Sequence, residues 1–302
     1  MDQRFLVTGG GGFIGRHVIR RLLPLGGVHA LDRNATRHAD GVESILVDLT
    51  DARAVGAVVR RIQPTAVIHL AASGVMPGAD DVGRMVATNV VGTRNLLAAI
   101  AGARGLEAAV VLGSWFEYGA GGRDGAPSPS TPYGVTKLAA TMLAGAARSE
   151  GVPTVVLRPF QVYGPGEPAH RLIPALLERA RAGEALTLRQ AGIRRDWVFV
   201  EDVAEAVVRA TSETAEGGPF DIGTGRSTSV GEVARLAAAL VGAPGPIEAA
   251  GTPPAGDEER EGVADVAAAA RCLGWRARHD LQQGLTATID HWRRTPLEAP
   301  SA

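Results

Sequence analysis

Short apolar runs alternate with longer amphipathic stretches through the first half of the chain. Residues 4–8, 28–31, 44–47, 66–70, 108–113 and 154–157 are predicted strands. Most carry no polar alternation, the pattern of strands buried on both faces of a parallel sheet. Between them, residues 13–25, 52–62, 82–103 and 133–149 read as helices. Strands and helices taking turns in this way predict an α/β fold, a doubly wound parallel sheet.

After Pro159 the regularity falls away. Gly164-Pro165-Gly166-Glu167-Pro168 is a loop signal. A helix is predicted over 172–182, a strand over 198–200, a helix from Glu201 to about 212 and a strand over 219–222. Helices starting at Val230 and Asp280 follow, separated by the Pro/Gly-rich stretch 242–256. Glu201 and Asp202 are well placed for the positive end of the helix that they open. The reading is a dinucleotide-binding domain over 1–163, to which segments near 196–225 return. Residues 164–302 then form mainly a smaller, discontinuous C-terminal cap that binds substrate. The tail from Thr295 is expected to be disordered.

The first turn gives this sheet a purpose. Gly9, Gly12 and Gly15 stand three apart between the first strand and the first helix. One glycine serves the tight bend, one the approach of a pyrophosphate, and one the close packing of helix on strand. Phe13, Ile14 and Gly15 open a helix whose free N–H groups and dipole face the phosphates. Asp32 ends the next apolar run, about 20 residues on, where a carboxylate binds the adenosine ribose. Together these predict a Rossmann dinucleotide site. Asp32 favours NAD because a carboxylate repels a 2′-phosphate, while Arg33, Arg37 and Arg16 leave NADP as the alternative.

Composition narrows the partners. The 302 residues carry a formal net charge of -1, with acidic and basic residues interspersed, so neither nucleic acid nor an anionic membrane is expected. No apolar run reaches membrane-spanning length. The single cysteine, Cys272, excludes an internal disulfide and offers no thiolate metal cluster. No metal site is expected. Asp2-Gln3-Arg4 lead straight into a strand with no signal pattern, so a cytoplasmic location is expected.

Tyr133 and Lys137 stand at i and i+4 near a helix start and share one face. A nearby ammonium stabilises a phenolate and lowers the pKa of the phenol. Ser114 ends the strand 108–113, and strand C-termini line the ligand crevice of such sheets. Ser114 is therefore read as hydrogen-bonding a substrate oxygen while Tyr133 exchanges the proton. Asn89, inside the helix 82–103, has two readings: bonding backbone carbonyls and water in support of the lysine, or packing.

Further segments carry a resemblance: Asp48-Leu49; His69-Leu70-Ala71-Ala72; Thr88-Asn89-Val90-x-Gly92-Thr93; Ser114 four residues before Tyr118-Gly119; and Arg158-Pro159-x-x-Val162-Tyr163-Gly164-Pro165-Gly166. Arg195-Asp196-Trp197-Val198-x-Val200-x-Asp202-Val203, Phe220-Asp221-Ile222-Gly223-Thr224-Gly225 and Leu273-Gly274-Trp275 complete it. The chain resembles the extended short-chain dehydrogenase/reductases of the NAD-dependent nucleotide-sugar epimerase/dehydratase group. The resemblance implies that Asp48 and Leu49 sit at the adenine, that Leu70, Ala71, Ala72 and Asn89 line the cofactor, and that Ser114, Tyr133 and Lys137 are catalytic. It also implies that Arg195 grips a substrate diphosphate, a surface ion pair with Asp196 being the alternative. A homodimer through helices 82–103 and 133–149 is the expected assembly.

Departures from the family narrow the reaction. Dehydratases of this group carry an Asp-Glu pair after the catalytic hydroxyl residue, whereas Trp115 and Phe116 stand here. Rings cannot carry protons in a dehydration; they imply an apolar wall above the sugar. The stretch Tyr163-Gly164-Pro165-Gly166-Glu167 with His170-Arg171-Leu172-Ile173-Pro174 resembles the branch that reduces 4-keto-6-deoxyhexoses on a nucleoside diphosphate. Pro254-Ala255 precede Gly256-Asp257 where many epimerases have a second diphosphate-binding arginine; either Arg260 takes that role or diphosphate recognition is weaker. The expected activity is reduction of a C4 ketone by NAD(P)H. A 4-epimerase is the alternative, and a non-catalytic dinucleotide-binding regulator the remote one.

Overall fold

The computed structural model describes residues 3–74, 81–119, 127–188, 190–212, 217–248 and 262–294. The first lobe runs β1 (Gln3–Thr8), α1 (Phe13–Leu22), β2 (Gly26–Asp32), β3 (Val42–Leu46), α2 (Ala52–Ile62) and β4 (Ala66–His69). It continues through α3 (Val82–Met85), α4 (Thr93–Ile100), β5 (Ala108–Leu112), α5 (Pro132–Ser149) and β6 (Thr154–Pro159). Then come β7 (Gln161–Tyr163), α6 (Leu172–Arg181), β8 (Thr187–Leu188), β9 (Arg194–Arg195), β10 (Trp197–Phe199) and α7 (Val200–Arg209). The chain goes on with β11 (Phe220–Ile222), β12 (Thr228–Ser229), α8 (Val230–Val241), β13 (Ile247–Glu248), α9 (Val266–Cys272) and α10 (Leu281–Arg294).

Seven strands form one parallel sheet in the order β11-β6-β5-β4-β1-β2-β3. Both faces are covered, which is why the strands lack polar alternation. Phe5 and Val7 of β1 pack with Val18 and Leu22 of α1 and with Val203 and Val207 of α7. Leu6, between them, points the other way, to Val55, Val59, Leu97 and Ala144. The strand order reverses between β1 and β4, and their carboxyl ends part there to leave a crevice. A separate cluster of Tyr163, Leu176, Trp197, Phe199, Val233 and Leu285 joins β7, α6, β10, α8 and α10. Among the described residues no helix is long and apolar enough to cross a membrane.

Three expectations change. The helix 82–103 is interrupted by a π-helical stretch, Val86–Gly92, that contains Asn89; such wider turns occur frequently at functional sites. Val200 is already helical, so the strand before it is Trp197–Phe199. The Ala-rich helix α9 was not expected; Asp265 caps it by accepting from the Ala267 N–H. The tail from Thr295 and residues 249–256 of the Pro/Gly-rich stretch lie outside the described residues.

Carboxylates tie distant segments of the chain together. Asp196 is not the ion-pair partner of Arg195. It is fully buried, accepting from Thr224 N–H and O–H at 2.7 Å each, Gly225 N–H at 2.8 Å and Ala264 N–H at 3.1 Å. Asp202 likewise accepts from the backbones of Arg278 and His279 rather than serving only its own helix. Glu201 accepts from Arg21 and pairs with His17 Nδ1 at 2.6 Å, while His17 Nε2 meets the Pro165 carbonyl at 2.8 Å. Asp196→Ala strands several buried donors, and an expected loss of roughly 3 kcal/mol of stability is read from the chemical-denaturation midpoint.

Candidate active site

The crevice is built by glycines. A Cβ on Gly9 would lie 2.7 Å from the Ala71 nitrogen, and one on Gly15 would lie 2.3 Å from the Gly9 carbonyl oxygen. The turn after β1, the start of α1 and the turn after β4 therefore touch backbone to backbone. Gly12 caps α1 without a side chain over its first N–H groups. Such an end receives phosphate oxygens, so the cradle fits a dinucleotide diphosphate.

A recess of about 270 Å³ brings together Asp32, Arg33, Asp48, Leu49, Leu70, Ala71 and Ala72, all expected around the cofactor, with Asp32, Asp48 and Leu49 at its adenosine end. Asp48 is held by the Thr50 N–H and hydroxyl; these bonds, and the Arg33 charge, keep its carboxyl below the usual range. Asp32 accepts from Gly11 N–H at 3.2 Å and lies 2.9 Å from His38 Nε2. His38 carries no motif and only the folded loop brings it there. Arg16 turns instead to the Gly11 carbonyl beside Gly166, and Arg37 is exposed, so Arg33 is the basic residue of these three seen lining the recess.

The crevice continues into a cleft of about 320 Å³ lined by Phe13, Ile14, Gly15, Ser114, Trp115, Tyr133 and Lys137. Ser114 caps the 3₁₀ turn Trp115–Glu117, and its side chain bonds Tyr133. Lys137 is 6% exposed and donates to the Leu112 carbonyl. It is the only lysine among 31 Lys and Arg residues. Burial brings its pKa down to about 8 against the opposing charge of Glu117, a shift no guanidinium can make. Tyr133 does not show the expected lowering. Burial, aided by the Glu117 charge, outweighs the Ser114 bond and pushes its pKa up to about 12.

Asn89 accepts from Ser73 N–H and donates to the Ser73 carbonyl and the Thr136 hydroxyl. It thus ties the turn after β4 to α5. His69 sits between the Thr8 and Thr93 hydroxyls at 2.7 and 2.8 Å. Burial, then the Lys137 charge, press its pKa to about 3, so it is a neutral strut.

Rings form one wall of the cleft. Trp115 lies 4.6 Å from Phe116 and stacks at 6.3 Å on Phe160, and Phe116 meets Tyr133 edge-on at 5.6 Å. The Arg195 guanidinium lies 4.7 Å over the Trp115 ring, which brings two expected substrate residues together. Arg260 lies outside the described residues. Gln161, which the sequence did not single out, also lines the cleft, as do His170 and Arg171.

Because no side chain fits between α1 and the Gly9 carbonyl, Gly15→Ala is expected to weaken NAD binding by at least about tenfold, measured by isothermal titration.

Residues 5–223 match the NAD dependent epimerase/dehydratase family. The dTDP-L-rhamnose 4-epimerase of Burkholderia thailandensis is 31% identical, the match covering 94% of this chain and 93% of that one. The dTDP-6-deoxy-L-talose 4-dehydrogenase (NAD(P)(+)) of Kitasatospora kifunensis is 33% identical, with 93% of each covered. The Thermus thermophilus UDP-glucose 4-epimerase, solved with NAD, superposes with a TM-score of 0.84 at 33% identity, covering 96% of this chain and 99% of that one. With the glycine cradle and the Ser114, Tyr133 and Lys137 cleft in one crevice, the chain belongs to the NAD-dependent epimerase/dehydratase family of extended short-chain dehydrogenase/reductases.

Proposed function

We propose that the protein reduces the C4 ketone of a nucleoside-diphosphate 4-keto-6-deoxyhexose, with a dTDP sugar as first candidate. The observation that carries this reading is the wall of Trp115, Phe116 and Phe160 beside Ser114 and Tyr133. It offers no carboxylate to eliminate water. It also crowds the sugar end, where an epimerase must let the ketone turn over to receive hydride on its other face.

The reduced nicotinamide supplies the hydride. Ser114 polarises the ketone oxygen, and Tyr133 gives the nascent alkoxide its proton. A phenol whose pKa stands at about 12 is protonated at neutral pH and ready to donate. The Lys137 ammonium, which lines the same cleft, supports the charge that develops there. Arg195, over Trp115, is placed for the substrate diphosphate. The Asp32 carboxylate favours NADH over NADPH, and Arg33 keeps the latter open. The trio in one cleft speaks against a non-catalytic regulator. The second reading, a 4-epimerase, is favoured by the name of the Burkholderia relative.

Purified protein mixed with a dTDP-4-keto-6-deoxyhexose is expected to consume one reduced nicotinamide per ketone. No consumption, with isomer exchange of a sugar nucleotide without added cofactor, would establish the epimerase instead. Tyr133→Phe is expected to lower kcat about a thousandfold with cofactor binding retained. Below about pH 8 Lys137 is charged, so kcat is expected to fall as pH rises through that value.

A homodimer is part of the same proposal. α5 packs beside α3, the π-helical stretch and α4, and Val82 of α3, Val86 of the π-helical stretch and Val135 and Met142 of α5 are exposed, Met142 to 66%. An apolar surface on two adjacent helices fits its own copy. Val135→Glu/Met142→Lys is expected to give a monomer by analytical ultracentrifugation.

A further inference from the structure

Glu117 closes the turn that begins at Ser114 and is 0% exposed. Its Oε1 accepts from the Ser114 N–H at 2.8 Å and the Thr141 hydroxyl at 3.0 Å; its Oε2 accepts from Arg158 Nε at 2.7 Å. Thr141 lies one turn beyond Lys137 and two beyond Tyr133 on α5. The carboxylate is thus held against the helix face that carries both catalytic side chains.

We propose that Glu117 is the positioning residue of this site: it anchors the Ser114 backbone and supplies the fixed counter-charge that keeps Lys137 an ammonium. The proposal rests on the catalytic assignment of Ser114, Tyr133 and Lys137 given above.

The surroundings are built for this carboxylate. A Cβ on Gly113 would lie 2.5 Å from Glu117 Oε1, so glycine makes room for it. Arg158 is fixed in turn. Its guanidinium reaches the Tyr118 hydroxyl at 3.2 Å and lies 4.9 Å over that ring. The Tyr118 hydroxyl donates to Asp221, which accepts from the Asp265 N–H at the start of α9. One polar chain therefore runs from the catalytic serine through β6 and β11 to α9.

Burying an ion pair is costly, and a well-packed apolar pair of the same volume often serves stability as well. What an apolar pair cannot supply is charge. Lys137 faces neutral His69 from β4, the Leu112 carbonyl from β5 and Glu117 from the 3₁₀ turn. Tyr133 faces Ser114, Glu117 and, more distantly, Arg171. Glu117 is the one carboxylate among these groups. Its charge opposes the burial that strips the proton from Lys137, and it keeps Tyr133 protonated.

The test uses the single lysine. Protein labelled with [13C]lysine gives one side-chain NMR signal, whose titration reports Lys137 without any substrate. The wild-type midpoint is expected near 8. Glu117→Gln is expected to lower it by about one pH unit, and an unchanged midpoint would overturn the proposal. Because Glu117→Gln leaves the buried Arg158 without its carboxylate and can unfold the chain, Glu117→Gln/Arg158→Met removes both charges; a drop is expected in the folded double variant too, smaller because a cation that opposes the ammonium is also gone. In turnover, the alkaline limb of kcat should move with the NMR midpoint while KM and NADH binding hold. A uniform loss of kcat with the limb in place would mark a purely structural role and overturn it as well. If no ketone is turned over, the functional reading fails, and the NMR arm still decides the role of Glu117.

Discussion

The whole cleft depends on a contact between backbones. Gly9 leaves β1 against the nitrogen of Ala71, and α1 starts so close to Gly9 that Gly15 has no space for a methyl group. That approach sets the distance between the turns after β1 and β4, where the sheet order reverses. It fixes the helix end that fits a diphosphate and the cleft that Ser114, Tyr133 and Lys137 line. Side chains elsewhere adjust to it.

Charge in this protein is placed with two purposes. Asp196 and Asp202 are sealed and spend their oxygens on backbone N–H groups from distant segments, which ties those segments together. The groups at the cleft are buried too, but they are balanced rather than locked. Burial pulls Lys137 down and Glu117 pushes it up, while His69 is left neutral by burial and by that same lysine. A low-dielectric pocket makes each neighbouring charge count for more than it would in water.

The central sheet was legible because its strands are short apolar runs, and burial on both faces leaves a one-dimensional trace. The dinucleotide turn was legible for a similar reason: its glycine spacing is a local steric demand. The π-helical stretch at Asn89 left no trace, since it serves bonds to Ser73 and Thr136 on other elements. The interval between Ser114 and Tyr118 is visible in the sequence, yet its Glu117 is meaningful only once Arg158 and Thr141 converge on it. Arg195 and Asp196 are neighbours in sequence, but one goes to Trp115 and the other into the core.

Sequence alone determined the α/β alternation, the glycine cradle and the placing of Tyr133 and Lys137 one turn apart on a helix, because each follows from spacing within one strand, turn or helix. Tertiary structure decided the protonation of those side chains, the partner of Asp32, the aromatic wall and the anchoring of Ser114. Burial and charge at a point are sums over elements far apart in the chain, and no local pattern records them.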